Sequence, residues 1–179
     1  MSDTPTVTLR ARTEADLDVL YSVSSDLDTW EERNPSTPGP LTRATWNGRI
    51  ERADAAPDGS VTFVVDVDGA AVGTVSLFDV DALAGHAEIG IALAPEARGR
   101  GIGTEAIRQL VEFAFVRRNM RRLHLQAIGS NAGAIRAYEK AGFVVEGRQR
   151  EHAWVRGGYE DIVLMGILRS ESRAGTGVA

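Results

Sequence analysis

The segment EARGRGIGTEA at residues 96–106 constrains the fold more than any other part of the chain. Three glycines, Gly99, Gly101 and Gly103, stand at alternate positions in it, after a strand-like run and before an amphipathic run. Glycine inside regular structure costs roughly 0.5–1 kcal/mol relative to alanine, so the cluster indicates either an unusual turn or a ligand close to the main chain. The sequence therefore predicts the local order strand, glycine turn, helix.

Composition limits the class of protein. The 179 residues are 43% hydrophobic and 25% charged, as in one soluble globular domain. The absence of cysteine excludes disulfides, thiolate metal ligands and a cysteine nucleophile. The net charge of −5 argues against general nucleic-acid binding. No apolar run reaches the roughly 18 residues of a membrane span, and the first residues lack a signal-peptide pattern. We therefore expect a cytoplasmic protein with no membrane partner.

Periodicity and turn residues divide the rest of the chain into helices and strands. Helices are predicted after the capping residues Thr13, Thr42 and Asn131, and directly after the glycine cluster. The helix after Asn131 ends before Gly142, and Asp68-Gly69 marks a hairpin. Strands are predicted at residues 7–10, 60–67, 71–80, 86–93, 121–128, 144–155 and 159–168.

Two common glycine motifs do not fit the cluster. A dinucleotide-binding fingerprint needs glycine at its sixth position, which is Thr104 when counted from Gly99, and a Walker loop needs a lysine that is absent here. Consecutive main-chain N–H groups at a helix N-terminus still favour an anion such as a pyrophosphate, with Arg98 and Arg100 as charged donors. A flexible turn with solvated arginines is the alternative.

The pattern Arg98-x-x-Gly101-x-Gly103 resembles the signature of the GNAT superfamily of acyl-CoA-dependent N-acetyltransferases. The runs EIGIALAPEARGRG, LHLQAI and NAGAIRAYEKAGF stand in the family's order, so the similarity covers residues 60–168. The closing run GRQREHAWVRGGYEDIVLMGIL is similar to the branch of RimJ/RimL type and spermidine acetyltransferases. The resemblance implies acetyl-CoA as the cofactor and an amine acceptor, either a small molecule or a protein N-terminus.

The resemblance also implies an architecture. It is the α/β GNAT fold, with a mixed, mostly antiparallel sheet of about seven strands and helices on both faces. We expect a single domain at residues 1–170 and a disordered tail at residues 171–179. The acetyl group would pass directly to the amine in a ternary complex, and a homodimer is expected for this branch. A non-catalytic acyl-CoA-binding module with the same fold is the alternative function.

The cofactor residues follow from matching the family's motif. The pyrophosphate would bind the glycine turn, and the pantetheine arm would pair with the main chain of the preceding strand, where an N–H near Ala92 or Leu93 would also stabilise the oxyanion. These strand groups would otherwise simply complete the sheet. The expected cofactor residues are Ile91, Ala92, Leu93, Arg98, Gly99, Arg100, Gly101, Ile102, Gly103, Thr104, Asn131, Ala134 and Tyr138.

Two side chains are candidate catalytic groups. An amine must lose its proton before it attacks a thioester, because a primary ammonium has no free lone pair. Glu88 is the candidate base, since strand alternation places it with His86, Gly90 and Ala92 on one face. A strand-end glutamate paired with an arginine is the alternative. Tyr138 matches the family's tyrosine that protonates the departing thiolate; without that match it would be read as a core residue.

Several other residues keep two interpretations. The acidic residues around Trp30 would either recognise a cationic acceptor or form a solvated helix end. Trp46 and Trp154 would line a pocket or fill the core. The arginines of RRNMRR at residues 117–122 favour a helix C-terminus over a site for the cofactor's 3′-phosphate. His124 and His152 lack a companion at metal-ligand spacing, so no metal is expected. The acidic residues are Asp28, Glu31 and Glu32.

Overall fold

The computed structural model describes residues 5–33, 38–55 and 59–172, and shows a seven-stranded mixed sheet. Its strand order is β1-β2-β3-β4-β5-β7-β6, and every neighbouring pair is antiparallel except β4 and β5. The predicted fold class is confirmed. The strands are β1 Val7–Arg10, β2 Val61–Val67, β3 Ala70–Asp81, β4 His86–Leu93, β5 Arg122–Ile128, β6 Val144–Val155 and β7 Gly158–Leu168. The helices are α1 Leu17–Ser25, α2 Leu27–Arg33, α3 Arg43–Asp54, α4 Ile102–Glu112 and α5 Ala132–Lys140.

Local side-chain chemistry sets most element ends where the sequence predicts them. Thr42 Oγ1 accepts a hydrogen bond from the Thr45 N–H at 3.2 Å and begins α3. Asn131 Oδ1 accepts one from the Ala134 N–H at 3.1 Å and begins α5. Gly142 follows α5 with φ of 105°, a left-handed angle that suits glycine. Capping residues therefore mark these boundaries in the sequence.

Helices cover both faces of the sheet. α4 and α5 pack on one face over the main core, which includes Val65, Leu123 and Met165. α1 and α3 cover the other face, where Leu20 and Trp46 pack on Val64. Trp46 is thus a core residue. Trp154 is exposed, with its ring 4.9 Å from the ring of Tyr159 in an edge-on arrangement.

The sheet opens between β4 and β5. These parallel strands pair over only three positions, His86↔Arg122, Ala87↔Leu123 and Glu88↔His124. Beyond Glu88 the two strands diverge: β5 continues to pair with β7 along its length, whereas the second half of β4 pairs only with β3. The diverging ends leave a wedge-shaped opening at the carboxyl ends of the two strands.

The described chain ends just beyond the predicted domain boundary. Ser172 is buried, and its hydroxyl donates a hydrogen bond to the Arg169 carbonyl at 3.1 Å. The rest of the predicted tail, from residue 173, lies outside the described residues, as do residues 34–37 of the proline-rich segment. None of the helices in the described ranges is long and apolar enough to cross a membrane.

Candidate active site

A cavity of about 500 Å³ extends from the opening of the sheet to the start of α4 and along α5. Three parts of the chain line it: the end of β4 with the glycine turn, the inner side of α5, and two side chains of α2. The structure thus brings together most of the predicted cofactor residues. Those that line the cavity are Ile91, Ala92, Leu93, Arg98, Gly99, Gly101, Gly103, Thr104, Asn131, Ala134 and Tyr138.

The glycine turn has the backbone shape of an anion site. Gly99 and Gly101 have φ of 72° and 83°, and a β-carbon added at either would meet no protein atom within 4 Å. Space therefore remains open directly over the main chain. α4 begins at Gly101 without a side-chain cap, so its first N–H groups keep their donor capacity for a ligand. Ile102 contributes main chain only, because its side chain is buried in the core.

The two arginines of the turn differ in role. Arg98 directs four of its donor hydrogens at protein acceptors: Nε and one Nη to the Leu93 carbonyl at 3.1 and 3.0 Å, and the Nη atoms also to Thr29 Oγ1 and Glu32 Oε2, both at 2.7 Å. It joins α2 to β4. Arg100 is exposed and makes no ion pair within the described ranges. The main-chain N–H groups of the turn therefore stay available to a ligand, whereas Arg100, although predicted as a cofactor residue, does not line the cavity.

The free edge of β4 carries main-chain groups for an extended ligand. The Ala92 carbonyl faces β3, since a β-carbon on Gly73 would lie 2.0 Å from it. Main-chain groups alternate in direction along a strand, so the N–H groups of Ile91 and Leu93 point to the opposite edge, where β5 has diverged. Of the two positions predicted for an oxyanion donor, the Leu93 N–H points to the open edge and the Ala92 N–H points towards β3.

Tyr138 projects from α5 into the core side of the opening. Its ring is 6% exposed and packs edge-on against Phe143 at 5.9 Å between ring centres. Burial, with a further contribution from the charge of Glu88, raises the pKa of the Tyr138 phenol well above its usual 10. The hydroxyl makes no hydrogen bond to the described residues. A phenol that stays protonated and borders the cavity can donate a proton there.

Glu88 lies on the other face of the sheet, at the last paired position before the opening. The predicted alternation holds, because the neighbours Ala87 and Ile89 are buried in the main core while Glu88 is half-buried. Burial, followed by the charge of Asp79, raises the pKa of the Glu88 carboxyl. Among the described residues the basic side chain within 4 Å of it is His124, with His124 Nε2 3.8 Å from Glu88 Oε2, rather than the arginine of the alternative interpretation.

The acidic residues of α2 are paired with arginine. Arg156, in the β6–β7 hairpin, lies 3.2 Å from Asp28, 3.9 Å from Glu31 and 3.1 Å from Glu32. Neither sequence interpretation anticipated this pairing. A second cavity of about 300 Å³ adjoins this group and is bordered by Glu32, Arg156 and Glu160.

Sequence reasoning missed several lining residues. Thr29 and Glu32 come from α2, far away in the chain. Glu32 was predicted only as a possible acceptor-binding residue, and no local signal relates either residue to the glycine turn. Arg136 and Lys140 line the cavity on α5 at a spacing of four residues. That spacing places both cations on one helix face, and was a signal that the sequence offered. The remaining unpredicted lining residues are Ile107, Gly133 and Ala137.

Comparison with known proteins identifies related sequences. The family model described as an acetyltransferase (GNAT) domain matches residues 6–144. A spermidine N(1)-acetyltransferase of Vibrio cholerae is 33% identical over 110 residues, covering 61% of this chain and 64% of that protein. The putative ribosomal N-acetyltransferase YdaF of Bacillus subtilis is 35% identical over 104 residues, covering 58% and 57%. These alignments span less than two thirds of the relatives' lengths.

A solved structure shares the fold over nearly the whole chain. It is a crystal structure of spermidine N-acetyltransferase from Vibrio cholerae in complex with CoA and spermine. It superposes with a TM-score of 0.84 at 25% identity and covers 92% of this chain and 96% of that chain.

Proposed function

The chain belongs to the GNAT acetyltransferase family, and from that premise we propose that it transfers the acetyl group of acetyl-CoA to a primary amine. The observation that carries the proposal is the opening between β4 and β5, where a free strand edge leads to an uncapped helix N-terminus. Acetyl-CoA supplies an activated thioester, a pantetheine arm with two amide groups, and a diphosphate. The residues present fit each of these parts.

Each part has a donor or acceptor in the cavity. The main chain from Gly99 to Thr104 would hold the diphosphate, with Arg100 adding charge. The Ile91 main chain would pair with the pantetheine amides, as a neighbouring strand does in a sheet, since the Leu93 carbonyl already accepts hydrogen bonds from Arg98. Asn131 and Ala134 border the same channel on α5. Arg136 and Lys140 would face the remaining phosphate as exposed cations.

The two candidate catalytic groups flank the opening from opposite faces. Glu88 would accept the proton of the incoming ammonium, for which its raised pKa makes it a stronger base than an exposed carboxylate. The Leu93 N–H would donate to the thioester carbonyl oxygen as negative charge develops on it. Tyr138 would donate its phenol proton to the departing sulfur. Attack is direct, and no residue is acylated.

A polyamine is the acceptor that we propose first. The similar proteins named above include spermidine acetyltransferases. Glu32 of α2 and Glu160 border the smaller cavity beside the opening, together with Arg156, and these two carboxylates can pair with a polycation. A protein N-terminus is the second candidate, because the similarity to the putative ribosomal acetyltransferase YdaF is of the same order.

We also propose a homodimer. The β6–β7 part of the sheet ends in an edge strand that exposes Val144, Val145 and Trp154, with Tyr159 beside it. Such a patch at a sheet edge favours association with a second copy. Sedimentation velocity of the wild type and of Val145→Lys tests this: a dimer that becomes a monomer supports it, and a monomeric wild type contradicts it.

Release of CoA thiol in the presence of acetyl-CoA tests the function. Spermidine, spermine and a peptide with a free N-terminus are compared with an N-terminally acetylated peptide that lacks lysine. Turnover with the polyamines and none with the blocked peptide is the expected result. Preference for the free peptide would favour the second candidate, and acetyl-CoA binding without turnover on any amine would favour a non-catalytic binding module.

A further inference from the structure

Four titratable side chains form a row on one face of the sheet, starting at the opening. Glu88 and His124 occupy the last register pair of β4 and β5, and His86 and Asp81 pair across β4 and β3. His124 Nε2 lies 3.8 Å from Glu88 Oε2, and His86 Nε2 lies 3.8 Å from Asp81 Oδ2. The two imidazole rings meet edge-on with centres 5.5 Å apart. The row is therefore continuous from the candidate base to Asp81.

Exposure increases steadily along this row. The side chains are 17% exposed at Glu88, 29% at His124, 36% at His86 and 47% at Asp81. The row thus leads from a half-buried carboxylate to solvent. His86 Nδ1 is buried and makes no hydrogen bond to the described residues. Within the described residues that nitrogen therefore keeps its capacity to exchange a proton with a neighbouring group.

We propose that His124 and His86 relay the acceptor's proton from Glu88 to solvent. The inference rests on the proposed function. Glu88 takes one proton from the ammonium, and its O–H then passes a proton to His124 Nε2 after a small side-chain rotation or through one water. A proton leaves the other ring nitrogen of His124 for His86, and leaves His86 for Asp81 or water. One proton enters and one leaves, and no electrons are exchanged.

The surroundings keep the first imidazole neutral and ready to accept. Burial, followed by the neighbouring His86 and Arg122, lowers the pKa of His124, while Glu146 and Asp79 oppose this more weakly. Glu146 is itself held by Arg122 at 2.5 and 2.6 Å. Within the described residues these side chains form no group that could hold a metal ion.

The test uses steady-state kinetics with the amine that the wild type turns over fastest. His124→Ala is expected to lower kcat about tenfold to a hundredfold, as loss of a proton-transfer group does. The KM for acetyl-CoA is expected to stay unchanged, and added imidazole is expected to restore kcat in proportion to its neutral form. Reactions without acceptor correct for acetylation of imidazole itself. His152→Ala, on exposed β6, is the matched control and is expected to keep wild-type kcat.

The pH profile gives a second readout. In the wild type, kcat is expected to fall as pH drops through the lowered pKa of His124, because a protonated imidazole cannot accept a proton. In His124→Ala that limb disappears and leaves a lower, flatter profile. A purely structural loss would scale the whole profile without changing its shape.

Three results would overturn the relay. One is wild-type kcat in His124→Ala at low buffer concentration; another is a reduced kcat that imidazole does not restore. If His124→Ala loses acetyl-CoA binding or unfolds, His86→Ala decides, and wild-type kcat in that variant overturns the relay. If the wild type turns over none of the amines, the result contradicts the proposed function, and it is thereby distinguished from a failure of the relay alone.

Discussion

At the scale of single residues, Glu88 and Tyr138 each have an environment that suits the role we propose for that side chain. Burial raises both pKa values. For the carboxyl this strengthens a base, and for the phenol it preserves an acid. The same physical cause would therefore serve the two opposite proton transfers that we propose on the two faces of the sheet.

Replacing Glu88 with Gln separates stability from activity. The folded-state pKa of Glu88 is raised, so its ionised form is less favourable in the folded state than in the unfolded chain at neutral pH. Gln removes that cost, and we expect a small rise in Tm at pH 7 that vanishes as pH falls below the pKa of the unfolded glutamate. We expect kcat to fall by about 10²-fold. A lower Tm at pH 7 would contradict this.

Replacing Tyr138 with Phe tests the general acid. The hydroxyl makes no hydrogen bond to the described residues, so stability is expected to stay within about 0.5 kcal/mol. We expect kcat to fall by about 10²-fold and acetyl-CoA affinity, measured by calorimetry, to change little. Tyr21→Phe is the control, since Tyr21 donates to the Leu41 carbonyl at 2.8 Å in the other core. It should lose stability and keep kcat; equal kcat losses in both variants would remove the acid role.

Replacing the two arginines of the turn is expected to have different effects, one on stability and the other on acetyl-CoA binding. Arg98→Ala removes the donors that hold Leu93, Thr29 and Glu32, and should lower the free energy of unfolding by about 1 kcal/mol, since Arg98 is partly exposed. Arg100→Ala should leave stability within about 0.5 kcal/mol and weaken acetyl-CoA binding more at low salt than at high salt. Denaturant unfolding and calorimetry measure both. The reverse pattern would contradict the assigned roles.

At the scale of elements, we propose that the glycine turn and α4 bind an anion as one unit. The turn needs left-handed backbone angles at Gly99 and Gly101, and the helix begins where those angles end. A side chain at Gly101 would project into space that the protein leaves empty. Its effect on the ligand is thus separable from any clash within the protein.

Gly101→Val is expected to abolish measurable acetyl-CoA binding, with at least a tenfold loss of affinity, about 1.4 kcal/mol. Gly69→Val is the matched control. Gly69 also has a left-handed φ, 90° against 83°, and also has open space around its added β-carbon, but lies in the β2–β3 hairpin. Both variants should lose similar stability from backbone strain, about 1–2 kcal/mol. Equal acetyl-CoA affinities in the two would show that the turn does not bind the diphosphate.

The ends of helices and strands were largely predictable from sequence. The boundary that was missed shows what such a prediction needs. The chain before the proline-rich segment forms two helices, α1 and α2, divided at Asp26. The Asp26 carboxylate accepts the Thr29 N–H at 2.7 Å, so a capping signal was present. It was hidden because helix-compatible residues continue on both sides. Where turn and cap residues stood alone, as at Asp68-Gly69 and Asn131, the boundaries were correct.

At the scale of the whole molecule, the site depends on relations that local sequence does not encode. Alternation along β4 predicted the face of Glu88, since the side-chain period of a strand is fixed. The divergence of β5 after Glu88↔His124 is a property of strand register, and the contact of Arg98 with Glu32 joins residues 66 positions apart. Neither follows from any short segment. Sequence motifs identified the candidate side chains, but only the fold showed which residues contact them.

The central claim is that the opened edge of β4 and the glycine turn together hold acetyl-CoA, with its sulfur between Glu88 and Tyr138. A crystal structure of the chain with CoA tests it most directly. We expect the diphosphate within hydrogen-bond distance of main-chain N–H groups between Gly99 and Thr104, the pantetheine paired with Ile91 or Leu93, and the sulfur near the Tyr138 hydroxyl. CoA bound elsewhere, or an empty opening at saturating CoA, would contradict the claim.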